Sequence, residues 1–161
     1  MPHLRFWRAR ALREDVGQSI VELSLMLPLL VFGLIGGADL ARAFAIQLAV
    51  QNGARAGAES YAIDSTPTTD EAKAAAIAEM NRTPTLNSLG TSCSGSPPTD
   101  CVTVTETLTD GSTACTIHPT TIATPCFVTV RVQYQFHTTI PWPWIPNTAN
   151  FDRSTVFRMF Y

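Results

Sequence analysis

Charge is scarce in this chain. Only 15% of its 161 residues are Asp, Glu, Lys or Arg, against roughly 25% in an ordinary soluble domain. The net charge of −2 gives no basic excess, and no nucleic-acid-binding motif is present, so nucleic acid is excluded as a partner. There is no G-x-S-x-G, no H-E-x-x-H, no phosphate loop and no Cys–His nucleophile pair. His3, His118 and His137 lie far apart with no ligand spacing around them. No catalytic residue, metal site or cofactor is assigned, and the chain is read as a non-enzyme. The four cysteines, Cys93, Cys101, Cys115 and Cys126, lack the short C-x2-C or C-x4-C pairs of zinc sites. Their even count within a Thr/Ser/Pro-rich stretch points instead to disulfides in an oxidising compartment. Three pairings are possible, and easy closure of short loops favours Cys93–Cys101 with Cys115–Cys126.

Long apolar runs are also few: there is one. Residues 23–38, LSLMLPLLVFGLIGGA, carry no charge. The run is shorter than the ~20 residues of a spanning helix, and including Gln18–Glu22 reaches that length. The choice is then between a buried soluble helix and a membrane helix with Glu22 inside its span. Pro28, Gly33, Gly36 and Gly37 are poor helix formers in water but are tolerated in membranes, where small residues form packing faces. A membrane helix is therefore expected over about 18–38. An ionised Glu within the apolar layer costs about 2.5–3.5 kcal/mol at mid-depth and tends to mark function. Arg5, Arg8, Arg10 and Arg13 precede the run, whereas Arg42 and Arg55 after it are matched by Asp39 and Glu59. The positive-inside rule places the N-terminus in the cytoplasm and the remainder outside.

An Ala-rich amphipathic continuation is expected over about 39–62, with Asn52-Gly53 as its candidate interruption. Thr68-x-x-Glu71 is a capping box opening a short helix that ends before Thr83-Pro84. Beyond it the period falls to two. Val102, Val104 and Glu106 alternate with threonines, and Asp110-Gly111 signals a hairpin turn. Cys126, Val128, Val130, Val132, Tyr134 and Phe136 line one face of a half-buried strand. Three prolines exclude 141–146 from a central strand, and 154–161 reads as the last strand. The fold class expected is α+β: a long N-terminal helix, a short helix and a small antiparallel sheet with disulfide-stapled loops. The domains are 1–17, 18–62 and 63–161.

Gly17, then Gln18-Ser-Ile-Val-Glu22, then the apolar run resembles the type IV pilin signature, in which a prepilin peptidase cuts after the glycine. Glu22 is the fifth residue counted from Gln18. More narrowly, Glu22-x4-Leu27-Pro28, Gly36-x-x-Asp39-x-x-Arg42 and Asn52-Gly-Ala-Arg55-Ala-Gly-Ala58 resemble the TadE-like family. Those are pseudopilins of the tight-adherence (Tad, Flp pilus) machinery. The E-to-LP element is carried by Glu22, Leu27 and Pro28. The last strand lacks an acidic terminus, and the cysteine-bearing insert of about 88–126 departs from the family.

The resemblance implies a pilin-like lollipop. Residues 1–17 would be a leader removed at Gly17–Gln18, and 63–161 an extracytoplasmic domain. The new amine on Gln18 would pair with a neighbouring subunit's Glu22, offsetting the desolvation of both. Pro28, Gly33, Gly36, Gly37, Asp39 and Arg42 are helix-packing candidates. Bland roles remain beside these: a kink at Pro28, and an i,i+3 pair for Asp39 and Arg42. Implied partners are other Tad/Flp pilins and pseudopilins, membrane platform proteins, the peptidase, the lipid bilayer, and a surface or receptor met by the C-terminal domain. The implied location is the bacterial cytoplasmic membrane, single-pass, or the extracellular pilus. The competing reading is an unprocessed single-span protein with a ligand- or wall-binding ectodomain. In either case Trp142 and Trp144 cover the sheet or form an adhesive patch.

Overall fold

The computed structural model describes residues 4–84, 86, 93, 100–115, 123–141 and 145–160, with side chains from Gly17 onward. His3, His118, Trp142 and Trp144 lie outside the described residues. The chain divides into two units, Met1–Ala41 and Arg42–Tyr161.

Helix α1 runs from Leu4 to Ile63. It begins within the segment expected to be a leader, because arginines, leucine and alanine are good helix formers. The expected interruption at Asn52-Gly53 does not occur. Gly53 is helical, and a Cβ built there would lie 2.5 Å from Met80 Cγ and 3.0 Å from the Ala76 carbonyl oxygen. The glycine is therefore a contact point with the second helix and not a break.

Helix α2, Thr69–Met80, follows its N-cap Thr68. The Glu71 N–H donates to Thr68 Oγ1 at 3.3 Å, as a capping box requires. The return bond differs from expectation: the Thr68 hydroxyl itself donates to Glu71 Oε2 at 2.7 Å. One hydroxyl thus ties both ends of the box. Asp70 and Glu71 also place negative charge on the helix N-terminus.

Strands β1 (Cys101–Thr107), β2 (Phe127–His137) and β3 (Thr148–Arg158) form an antiparallel sheet in the order β1-β2-β3. The alternation along β2 holds: Val128, Val130, Val132, Tyr134 and Phe136 are buried. Asp110-Gly111 does make a tight turn, with Gly111 at φ +70°. Across it only the Thr107–Ala114 bridge forms, and β1 instead pairs with β2, from Cys101 opposite Gln133 to Thr107 opposite Phe127. The last strand starts six residues earlier than 154. Asn150 and Asp152 look like turn residues in sequence, but they are held across the ladder. Gln135 Nε2 donates to Asn150 Oδ1 at 3.2 Å, and Arg131 Nε donates to Asp152 Oδ1 at 2.8 Å.

The core of the second unit joins all five elements. Ile46, Val50, Ala54, Ala58, Tyr61 and Ala62 of α1 meet Ala72, Ala76 and Met80 of α2 and the inner face of β1 and β2. Small residues on α1 let the backbones approach closely. Each fully buried valine contributes about 1.5–3 kcal/mol by leaving water. Disulfides Cys93–Cys101 and Cys115–Cys126 are both present, as the short-loop argument anticipates, and Cys101 and Cys126 are buried.

Tyr61 is the one hydroxyl in the α1 core stripe. It donates to Glu106, which sits on the inner face of β1 beside Val102 and Val104. Burial first, and then this carboxylate, push the Tyr61 hydroxyl well above its ordinary value. A raised pKa means that the neutral form is favoured on folding. The contribution is complete below the unfolded value near pH 10 and is lost as pH rises beyond it. Tyr61→Phe is expected to lower stability by about 1 kcal/mol at neutral pH and to flatten the loss above pH 10. Thermal melts of both proteins across pH 7–11 check this, and an unchanged alkaline limb in the variant would refute it.

Candidate functional site

Gln18 and Glu22 are one helical turn apart on α1. Gln18 Nε2 donates to Glu22 Oε1 at 3.1 Å, and both side chains are exposed. The spacing that allows this bond also puts the backbone nitrogen of Gln18 on the Glu22 side of the helix. Glu22 is followed by a helix that is apolar on every side. Leu25 and Leu34 are each 74% exposed, and Ile20, Leu23, Leu29 and Phe32 are exposed as well. A helix hydrophobic all round is one that other apolar matter surrounds.

Pro28 lies inside α1 without stopping it. Having no N–H, it leaves the Ser24 carbonyl without the usual i→i−4 donor. One turn earlier the Ser24 hydroxyl donates to the Val21 carbonyl at 2.8 Å. Gly33 and Gly37, four apart, share a face, and a Cβ built on either meets nothing within 4 Å. That is open small-residue surface of the kind that lets membrane helices pack closely. Gly36 is half-buried and Asp39 buried. A Cβ on Gly17 likewise meets nothing within 4 Å.

Arg42 opens the second unit. It donates to the Thr139 hydroxyl, and its guanidinium carbon lies 5.5 Å from the centroid of the Phe136 ring, within cation–π range. Residue spacing alone missed this contact, because Thr139 is 97 positions away. The Tyr61–Glu106 bond was missed for the same reason. Only a glutamate on the apolar face of β1 hinted at it.

On the outer face of the sheet, Arg131 and Asp152 form a fork, with Gln133 Nε2 donating to Asp152 Oδ2 at 3.3 Å. The Arg131 bonds hold the Asp152 carboxyl below its ordinary value. The stabilisation is present above the usual carboxylate range and fades as pH falls through the lowered value. Both partners are partly exposed, so its worth is that of a surface pair, under about 1 kcal/mol. At the end of α1, a shallow depression lined by Ser60, Ile63, Asp64 and Ser65 brings one carboxylate and two hydroxyls together. A nucleophile–base pair needs more than that. Among the described residues, no group of His, Cys, Asp and Glu side chains could hold a metal.

The stretch from Gly17 onward is the segment of α1 long and apolar enough to cross a membrane. Residues 17–59 match the family model of TadE-like proteins. This stretch of the helix is similar to TadE-like proteins. The match starts at Gly17, contains Glu22, Pro28, the glycines, Asp39 and Arg42, and stops before the end of α1. No curated protein and no solved structure matches the chain significantly. A TadE-like segment on an exposed apolar helix fits a single-pass membrane protein related to the Tad pilus. The α2–sheet domain lies beyond the TadE-like match.

Proposed function

We propose that this chain is a TadE-like pseudopilin, or minor pilin, that takes part in assembly of a Tad-type (Flp) pilus for adhesion or secretion. It would enter the bacterial cytoplasmic membrane by α1, with its N-terminus in the cytoplasm and the α2–sheet domain outside. A prepilin peptidase would cut between Gly17 and Gln18. The freed amine of one copy would then pair with Glu22 of a neighbouring pilin, setting axial register, while Gly33 and Gly37 admit close helix contact. Its partners would be other Tad/Flp pilins and pseudopilins and the membrane platform. The observation that carries this reading is the position of Gly17 and Glu22 at the start of the exposed apolar stretch of α1, within the TadE-like match.

The intact mass of the protein recovered from membranes of its own host tests the reading. The expected species lacks residues 1–17 and begins at Gln18. A full-length chain in a host with active peptidase would refute processing and leave Glu22 without its amine partner. One observation favours the alternative, an unprocessed single-span protein with a ligand- or wall-binding ectodomain: α1 is helical through Gly17. Cleavage requires that turn to open. Glycine makes it the cheapest place to do so, since it costs a helix about 1 kcal/mol relative to alanine.

A further inference from the structure

The sheet ends on one side at β3, and among the described residues nothing pairs with that side. β3 is laddered to β2 along its whole length, from Thr148 opposite His137 to Arg158 opposite Phe127. In an antiparallel ladder every second residue turns its N–H and C=O away from the partner strand. The outer side of β3 therefore presents a row of backbone donors and acceptors, which are strong, obligatory hydrogen-bonding groups. Proteins commonly guard such an edge by keeping the strand short, by placing a proline in it, or by covering it. β3 has 11 residues and no proline, and all of them except Phe151, Thr155 and Phe157 are exposed. The opposite edge differs. β1 has 7 residues, and Cys93, disulfide-bonded to Cys101, lies with its sulfur 3.1 Å from Thr103 Oγ1.

Charge selects among the strands that could add to β3. The strand carries Arg153, Arg158 and one acid, Asp152. Arg131 of β2 already forks onto Asp152. Arg153 donates to the Asp152 carbonyl at 3.2 Å, and among the described residues neither Arg153 nor Arg158 is in a salt bridge. The edge is therefore basic. A second copy of it would bring the same sign, and like charges set opposite each other across a ladder are destabilising. Arg153 and Arg158 are an odd number of residues apart, so they belong to opposite faces of the sheet. Val156, 57% exposed, shares the face of Arg158.

We propose that β3 is the docking edge for an extended, acidic segment of a partner protein, which adds to the sheet as a further antiparallel strand. Its backbone would satisfy the outward groups of β3. Two carboxylates at the spacing of Arg158 and Arg153 would face those arginines, and an apolar side chain between them would cover Val156. The site lies wholly within the Arg42–Tyr161 unit and stands whether or not α1 enters a membrane.

The full chain in detergent is mixed with a blocked threonine peptide carrying two glutamates at that spacing and a valine two positions after the first. Hydrogen exchange read by mass spectrometry follows residues 148–158. At about ten times the peptide's Kd, the outward amides of β3 are expected to exchange about tenfold more slowly, with β1 unchanged. The same peptide with lysines in place of the glutamates should bind about tenfold more weakly, because two surface pairs turn from attraction to repulsion. Arg153→Glu with Arg158→Glu should invert the preference, a result that misfolding does not produce. No protection of β3 by the acidic peptide at millimolar concentration overturns the proposal. Equal protection by both peptides on the wild-type chain also overturns it, since charge would then not select the strand. Protection that rises with protein concentration in the absence of peptide assigns the edge to a second copy and overturns the acidic partner.

Discussion

On the proposed processing and pairing, Glu22→Ala is expected to insert in the membrane, to lose residues 1–17 at the wild-type rate, and to fail to co-purify with its proposed pilin partners. The reason is the asymmetry of a desolvated pair. Removing one partner leaves the other charge buried and unmatched, at a cost of about 3–5 kcal/mol. At 1.4 kcal/mol per decade that is a fall in association of about a hundredfold or more. Insertion is not expected to suffer, because the substitution removes a carboxylate from an otherwise apolar helix. Within one chain, Gln18 already offers Glu22 a bond over a single turn. A Gln18→Ala control therefore separates the side-chain bond from the amine. It should process and assemble normally, since the amine belongs to the backbone. Cross-linking in membranes from the two variants provides the readout, and normal incorporation of Glu22→Ala would sink the pairing.

Gly57→Leu is expected to unfold the outer domain or lower its melting midpoint severely, and Gly37→Leu to leave that midpoint unchanged. A Cβ on Gly57 would stand 2.8 Å from the Ala72 carbonyl oxygen, 3.1 Å from Ala76 Cβ and 3.2 Å from Val130 Cγ1. One neighbour is helix backbone and another is a strand side chain in the core, so neither can swing aside. Overpacking of this kind costs about 1–3 kcal/mol, or roughly 5–15 °C for a domain of this size. The longer side chain pushes towards the upper end. On Gly37 the same side chain has open space. If the proposed assembly role is right, Gly37→Leu should weaken association while the melt stays intact. The pair of variants thus separates folding from packing between subunits, and equal melting midpoints for both would refute the close approach at Gly57.

Elements with a strong local period were legible in advance. The two-residue alternation from Val128 to Phe136 and the Thr68–Glu71 cap each rest on contacts a few residues apart, or on a single buried face. The short-loop disulfides were legible for a related reason, since separations of 8 and 11 residues close easily. The misreadings share the opposite cause. Gly53 looks like a helix break because its reason for being glycine is Met80, 27 positions on. The first six residues of β3 fall outside the strand expected from 154 because Asn150 and Asp152 gain their partners from β2. Beyond the local spacing to Asp39, Arg42 also reaches Thr139 and Phe136, a contact that no short-range pattern carries. At the candidate site, the residue types of 17–42 were readable because a membrane helix needs little tertiary context. The anchoring contacts of the outer domain were not, because folding alone brings them together.

The buried stripe of α1 runs from Ile46 to Ala62, about 24 Å along the helix. A pull along this stripe meets the core in shear, with side chains on successive turns resisting together instead of peeling one by one. β2, the strand beneath that stripe, is hydrogen-bonded on both sides and cannot slide out alone. Load placed on this stretch of α1 therefore reaches the sheet without first unravelling it.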